Sequence, residues 1–509
     1  MSILPRTESW LSRLCQLILL FCLAGICLPA TAQKKATVEI LHADYFKPEL
    51  SIKRNKLLGN VELKHADMLM YCDSLYQYTD SNYIEAFGRV HAIQNDTLNL
   101  WGNFMTYDGN TQLAKVRGDV VMKDQKITLT TEFLDYDALN KIGYYFNGGT
   151  IKDSVNTLIS ELGYYYTQNN ETFFKDSVKV YTPDYTMYSD TLKYNTVSKI
   201  VTILGPTNIY GTNRTLYSED GWYNSITSHA ELYKNNRMTY NEYIGRADTI
   251  WIDSITNTAI MRNNAHLFDT VNNVIIEGNY GEVLKNNDYA FMTEQALMIL
   301  VGKQDSLFVH GDTLSVNKDS LGNNVMKAYH HTKFYNTDIQ GIADSMVFPV
   351  TDSTVYLYGA PPIVWASGNQ MTATDINMLL SNNTVKEFHL NNKAMIINQV
   401  DSVKFNQIKG RNMTGHMKDN ELYMVYVDGN GETLYYPEDK GNIIGMNKAI
   451  SSFIKIYIQN RKVKDIIFIQ KPEGQLNPLF MVAPEERRLK DFQWWIEKKP
   501  LKKEDIFVH

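Results

Sequence analysis

One motif recurs at a fixed spacing between Gly59 and Tyr223, and a repeat of that length restricts the fold more than any other feature of the chain. Six segments align on two anchors. The first follows a turn: Gly59-Asn-Val, Gly88-Arg-Val, Gly118-Asp-Val, Gly148-Gly-Thr, Asp176-Ser-Val and Gly205-Pro-Thr. The second is a tyrosine, at Tyr78, Tyr107, Tyr136, Tyr166, Tyr194 and Tyr223, with steps of 29, 29, 30, 28 and 29 by subtraction. Seven residues before each tyrosine stands a large apolar residue: Tyr71, Leu100, Leu129, Ile159, Met187 and Leu216. A period near 30 residues means a stacked array in which no unit buries its apolar face alone.

Each unit alternates apolar and polar residues, as in Thr97-Leu-Asn-Leu100 and Ile127-Thr-Leu-Thr130, which is the period of a half-buried strand. The abundance of Val, Ile, Thr and Tyr agrees. Turn signals at Asp108-Gly-Asn, Asn147-Gly-Gly and Gln168-Asn-Asn-Glu171 separate the runs. Each unit therefore predicts one rung of two strands of about ten residues, with rungs spaced about 4.8 Å apart. The expected fold is all-β, an elongated repeat solenoid of about twelve two-strand rungs. A stack that grows along one axis also explains how 509 residues avoid the size limit of a single core.

Residues 1–32 read as a secretory signal peptide: Arg6 and Arg13, an apolar run from Leu14 to Leu28, then Ala30-Thr-Ala32 as a cleavage site. An uncleaved anchor is the alternative, disfavoured because the run is short for a spanning helix. Cys15, Cys22 and Cys27 lie in this leader, so only Cys72 remains and no intramolecular disulfide is expected. Cys72 reads as a small buried hydrophobe. Residues 33–234 carry the clear repeats, after a lead-in strand at Thr37 to Ala43. Residues 235–420 continue them in worn form, with Ile252, Leu284, Val316, Val350 and Leu380 at the tyrosine position. Residues 421–475 read as β-hairpins, one joining Leu422–Val427 to Thr433–Tyr436 through Asp428-Gly-Asn-Gly431, another joining Ser452–Ile458 to Val463–Ile469. Residues 476–509 read as a basic tail, with a short helix expected from Pro484 to Trp495 that caps the last rung through Leu489, Phe492 and Trp495; a docking segment for a partner is the alternative.

Catalytic motifs are lacking: no His-Glu-x-x-His, no Gly-x-Ser-x-Gly, no phosphate loop. His330-His331 is the one adjacent histidine pair, and neighbours on a strand face opposite ways, a poor start for a metal site. A recurring Asp-Ser/Thr-apolar triplet (Asp73, Asp96, Asp190, Asp248, Asp312, Asp344) reads as a backbone-satisfying device, with calcium binding as the alternative. No cofactor, metal or catalytic residue is expected. The net charge of −6 is mild, and no nucleic-acid partner is expected.

The Gly-x-Val strand starts, the Tyr107-Asp108 and Tyr136-Asp137 strand ends and the 30-residue rung resemble the OstA-like (LptA-type) lipopolysaccharide-transport proteins, most clearly over 38–234. The ending, with Gly445-Met-Asn-Lys-Ala, Pro472-Glu-Gly-Gln-Leu-Asn-Pro478, Leu489-Lys-Asp-Phe and Lys502-Lys-Glu-Asp-Ile-Phe507, resembles that of long members from the Bacteroidetes. The resemblance implies a V-shaped β-jellyroll, a periplasmic location and a non-enzymatic role in carrying lipopolysaccharide from the inner to the outer membrane. It implies as partners an inner-membrane Lpt extraction complex and an outer-membrane Lpt barrel, or other copies joined through open sheet edges. On this reading Tyr71, Leu98, Leu100, Ile127, Leu129, Ile159, Met187 and Leu216 line a lipid trough. The competing expectations are a structural or adhesive extracytoplasmic β-solenoid without ligand, and a polysaccharide-active β-helix enzyme using paired carboxylates.

Overall fold

A pair of left-handed residues bends every second long strand at mid-length, and this corner generates the architecture. The computed structural model describes residues 37–302, 305–359, 361–381 and 384–508; the leader with its three cysteines lies outside them. Gly59 and Asn60 (φ 73° and 46°) interrupt strand Arg54–His65, and Gly88 and Arg89 (72° and 40°) interrupt Tyr83–Gln94. Two consecutive residues of positive φ insert a bulge and turn the ribbon. Pairing breaks register at the same places, between Leu58 and Val61 and between Phe87 and Val90. The returning strands bend opposite them, at Cys72–Asp73 and at Gly102–Asn103. A Cβ on Gly88 would lie 2.5 Å from Asp73 Oδ2 and would force that carboxylate to shift, while the Arg89 guanidinium bonds it at 2.6 Å.

The Gly-x-Val segments, expected at strand starts, therefore sit inside strands. Sequence alone reads a glycine before an apolar run as a turn, whereas two left-handed residues within a ladder make a corner that leaves pairing intact on both sides. Each strand gives one half to each of two arms. Each period adds two strands to each arm, an advance of about 9.6 Å where one spacing was expected. The predicted all-β repeat is present: among the described residues there are strands and short 3-10 turns but no α-helix, and every pairing is antiparallel.

The chain divides into two compact units, described residues 37–125 with 132–141, and 126–131 with 142–508. In the second, corners recur at Asn147/Gly148, Asp176/Ser177, Asn263/Asn264, His330/His331, Asn392/Lys393 and Gly429/Asn430. Asn147-Gly-Gly is thus a corner and not a turn between strands. Asp428-Gly-Asn-Gly431 is also a corner: Glu421–Tyr435 is one strand, and both its halves pair with Met446–Gln459. A second strand, Lys462–Ile469, does fold back on 453–459 through Asn460 and Arg461. The aspartates of the triplet, apart from Asp96 in a turn, lie at corners. His331 bonds Asp312 at 2.9 Å and His330 approaches Asp344 at 3.5 Å.

The tail departs from expectation. Pro484–Arg487 is a single 3-10 turn, and the remainder up to Trp495 is not helical. Two buried glutamines explain this. Gln407 donates to the Arg487 carbonyl and accepts from Leu489 N, while Gln370 donates to the Gln493 carbonyl and accepts from Trp495 N, at 2.7–3.0 Å. A helix would consume the backbone groups these amides need. Leu489 packs with Leu434, Tyr436, Met446 and Val482; Phe492 and Trp494 pack on Met395, Ile397 and Phe405. Residues 478–508 thus form a strap that runs back past the last strands as far as His310, where Phe507 lies 4.7 Å away ring to ring. Under it, strand Ile363–Ala366 is buried on both faces.

Candidate functional site: the space between the arms

Alternation sends every second side chain between the arms. In the first unit one inner file, each residue paired with the next, runs Leu63, Met70, Ala92, Leu100, Met122. In the second it runs Leu129, Ile151, Leu158, Val180, Met187, Ile209, Leu216, Met238. The file is buried as far as Ile209; Leu216 and Met238 are half-buried, as are Leu267 and Ile276 beyond. The interior is packed dry over one stretch and reached by solvent over the next.

Six of the eight trough residues named from sequence face inward or lie buried at a strand approach: Leu98, Leu100, Ile127, Leu129 and Met187 are buried and Leu216 half-buried. Tyr71 and Ile159 face the other way. Tyr71 pairs with Glu62 and His91, Ile159 with Thr150 and Lys179, and Met70 and Leu158 hold the inner positions. The cause is a one-residue slip. Tyr165, not Tyr166, is buried in its rung, and Gln77, not Tyr78, pairs with Ile84 as Tyr107 pairs with Ala114. Counting seven back from Tyr78 and Tyr166 lands on the outer face.

The tyrosine column has a role the sequence reading missed. Tyr107 Oη is 2.8 Å from His65 Nδ1, and Tyr136 donates to Gln94 Oε1 at 2.8 Å. Each tie reaches 42 residues back, from the tip of one arm to the tip of the other, on the side opposite the corner. In the second unit Tyr194 donates to Asp153 and accepts from Asn156 Nδ2 at 2.8 Å, and Lys199 completes the knot with an ion pair to Asp153. Burial alone would push the Asp153 carboxyl up; Lys199, Tyr194 and two backbone N–H groups outweigh it and hold the group below its usual range. The recurring offset of 38 to 42 residues between tyrosines and polar residues was the available signal.

Towards the C-terminal strands the arms part again around a 490 Å³ cavity. One wall includes Ile396 and Ile408, the other Leu422, Val425, Ile456 and Ile466, and Arg461 and Lys462 stand among its lining residues, paired with Glu421 and Glu438. Its size is that of a ligand pocket. Among the described residues no group of His, Cys, Asp and Glu is placed to hold a metal, and no helix is long and apolar enough to cross a membrane. Cys72 is buried, and burial pushes its thiol up to about 12.

Residues 35–190 match a family described as OstA-like protein. No curated protein matches the chain. Among solved structures, that of LptH, the LptA-homologous periplasmic component of the conserved lipopolysaccharide transport device of Pseudomonas aeruginosa, aligns at 18% identity over 20% of this chain and 79% of that chain, with a TM-score of 0.20. A score that low carries no inference.

Proposed function

Taking the OstA-like domain at residues 35–190 as the premise, we propose that the chain is an exported, non-catalytic conduit that shields the acyl chains of lipopolysaccharide between its two arms while the sugars remain in water. The observation that carries this reading is the inner file of apolar side chains in the second unit, each paired with the next, which becomes solvent-accessible at Leu216 and Met238. Each methylene withdrawn from water is worth about 0.8 kcal/mol, so a multi-chain lipid needs such a cover to cross an aqueous gap. A repeated lining keeps successive positions similar in affinity and so avoids a trap. Leu98, Leu100, Ile127, Leu129, Met187 and Leu216 contribute to that lining, with Met70 and Leu158 in place of Tyr71 and Ile159. Transfer runs from an inner-membrane extraction complex to an outer-membrane barrel, with the sheet edges meeting those partners or further copies.

The test is photocrosslinking in cells, with a photoreactive residue at Leu216 on the inner file and at its outward neighbour Tyr217. Lipopolysaccharide adducts at 216 and not at 217 are expected. Equal adducts at both, or none at either with the protein folded and exported, would refute the conduit. A ligand-free structural solenoid is the second reading, favoured by the dry packing from Leu129 to Ile209 and by the tyrosine ties; the same null result would select it.

A further inference from the structure

The seat of the C-terminal strap does not end where the strap ends. Its outward residues form a row in which each pairs with the next, from Leu434 through Gln407, Ile397, Gln370, Trp365, Gln340 and Tyr335 to Phe308. The strap covers this row, and its last residues are held by His310 against Phe507 and by a bond from Lys333 Nζ to the Val508 carbonyl. The row continues beyond as Ile299, Ile275, Phe268 and Ile244. Ile244 is 46% exposed, the others half-buried. Before this stretch the equivalent positions are threonines and tyrosines, such as Thr215 and Thr239, so the apolar character starts and stops with the row.

A second row runs beside it. Arg237 lies directly opposite Arg246, and Arg246 opposite His266. Two arginines in facing positions repel, and neither guanidinium has a hydrogen bond or ion pair among the described residues, whereas His266 is paired with Glu277 at 2.9 Å. A groove of 570 Å³ passes over Arg237, Arg246 and His266, with the carboxylates of Asp248 and Glu277 also in its lining, and reaches Phe507 in the strap.

We propose that this face is the docking surface for an extended segment of a partner protein that carries apolar and acidic side chains, laid down as a continuation of the chain's own strap. The strap supplies the precedent for an extended occupant. The Ile244–Phe308 row supplies the apolar contacts, and the two facing guanidiniums, which Asp248 and Glu277 leave unpaired, favour carboxylates.

The experiment uses the chain with its strap in place and two fluorescent synthetic peptides of equal length, one alternating leucine with glutamate and one alternating leucine with lysine. Saturable binding of the acidic peptide, about tenfold or more tighter than of the basic one, is expected. Arg237→Glu with Arg246→Glu reverses that preference, and Ile244→Asp weakens both peptides; Arg237→Lys with Arg246→Lys retains acidic binding. These side chains are on the surface, and circular dichroism checks that each variant is folded. Equal binding of both peptides, or indifference to the charge reversal, overturns the proposal. Sedimentation supplies the remaining arm: self-association abolished by the same charge reversal would make a second copy the occupant and also overturn it.

Discussion

The phenol of Tyr136 donates to the side-chain carbonyl of Gln94, 2.8 Å away and 42 residues earlier, and so joins the free tips of two arms whose other ends meet at the corner. Gln94 is itself buried. Tyr136→Phe leaves its carbonyl without this donor, at a cost of about 1–3 kcal/mol. Because a stacked array responds locally, the loss should appear as faster amide exchange in 91–97 and 132–141, with 54–65 unchanged. Unaltered protection would mean that the tie contributes nothing.

Asp153 gives the second unit a dependence on acid. Its folded pKa is depressed, with Lys199 and Tyr194 overcoming the cost of burial. The stabilisation is therefore complete above the unfolded value of about 4 and drains away as pH falls through the lower folded value. Asp153→Asn strands Lys199 and should cost about 3 kcal/mol at neutral pH, the low end for a buried pair since Lys199 reaches solvent. It should also flatten the acid limb of a fluorescence-monitored unfolding curve. An acid limb identical to that of the parent would locate the sensitivity elsewhere.

Two glycines separate backbone strain from contact. Gly148 has φ 95° with nothing within 4 Å of an added Cβ, whereas Gly88 has φ 72° and faces the Asp73 carboxylate at 2.5 Å. Gly148→Ala should cost about 1–2 kcal/mol from the left-handed conformation alone, and Gly88→Ala more, since its neighbour must also shift. Urea titration of both variants gives the comparison, and equal losses would assign the whole cost to the backbone.

Alternation, period and strand length were legible because each rests on local pattern: a strand such as Leu98–Asp108 reads apolar and polar in turn. The corner was not, since whether Gly88-Arg89 ends a strand or bends it depends on Asp73, sixteen residues earlier and across the ladder. The inner file was legible at Leu100, Leu129 and Met187 but inverted at Tyr71 and Ile159, where tandem apolar residues leave the phase open. That the tail folds back through Leu489 and Phe492 was legible, but its extended path was not, because a helix-like spacing in 484–495 is overruled by two glutamines that lie 80 to 125 residues away by hydrogen-bond separation.

Cys72 is expected to resist iodoacetamide at pH 8 in the folded chain, since burial pushes its thiol up to about 12 and withholds the thiolate. Alkylation should follow unfolding of the first unit, so mass spectrometry across a urea series reports that unit alone. Rapid labelling without denaturant would contradict the buried placement.

Gln370→Leu with Gln407→Leu keeps side-chain volume and removes four bonds to the strap. The strap should become protease-sensitive between 484 and 500, and a hydrophobic dye should bind the uncovered face. Resistance equal to the parent would show that Phe492 and Trp494 hold it unaided.

The strap also sets an order of events. Residues 478–508 leave the ribosome after the strands they cover, so Trp365, Ile397 and Phe405 stay naked until those residues have been made. A prematurely terminated chain would carry that greasy flank permanently, and the cell's proteases and holdases would meet it as a mark of incompleteness.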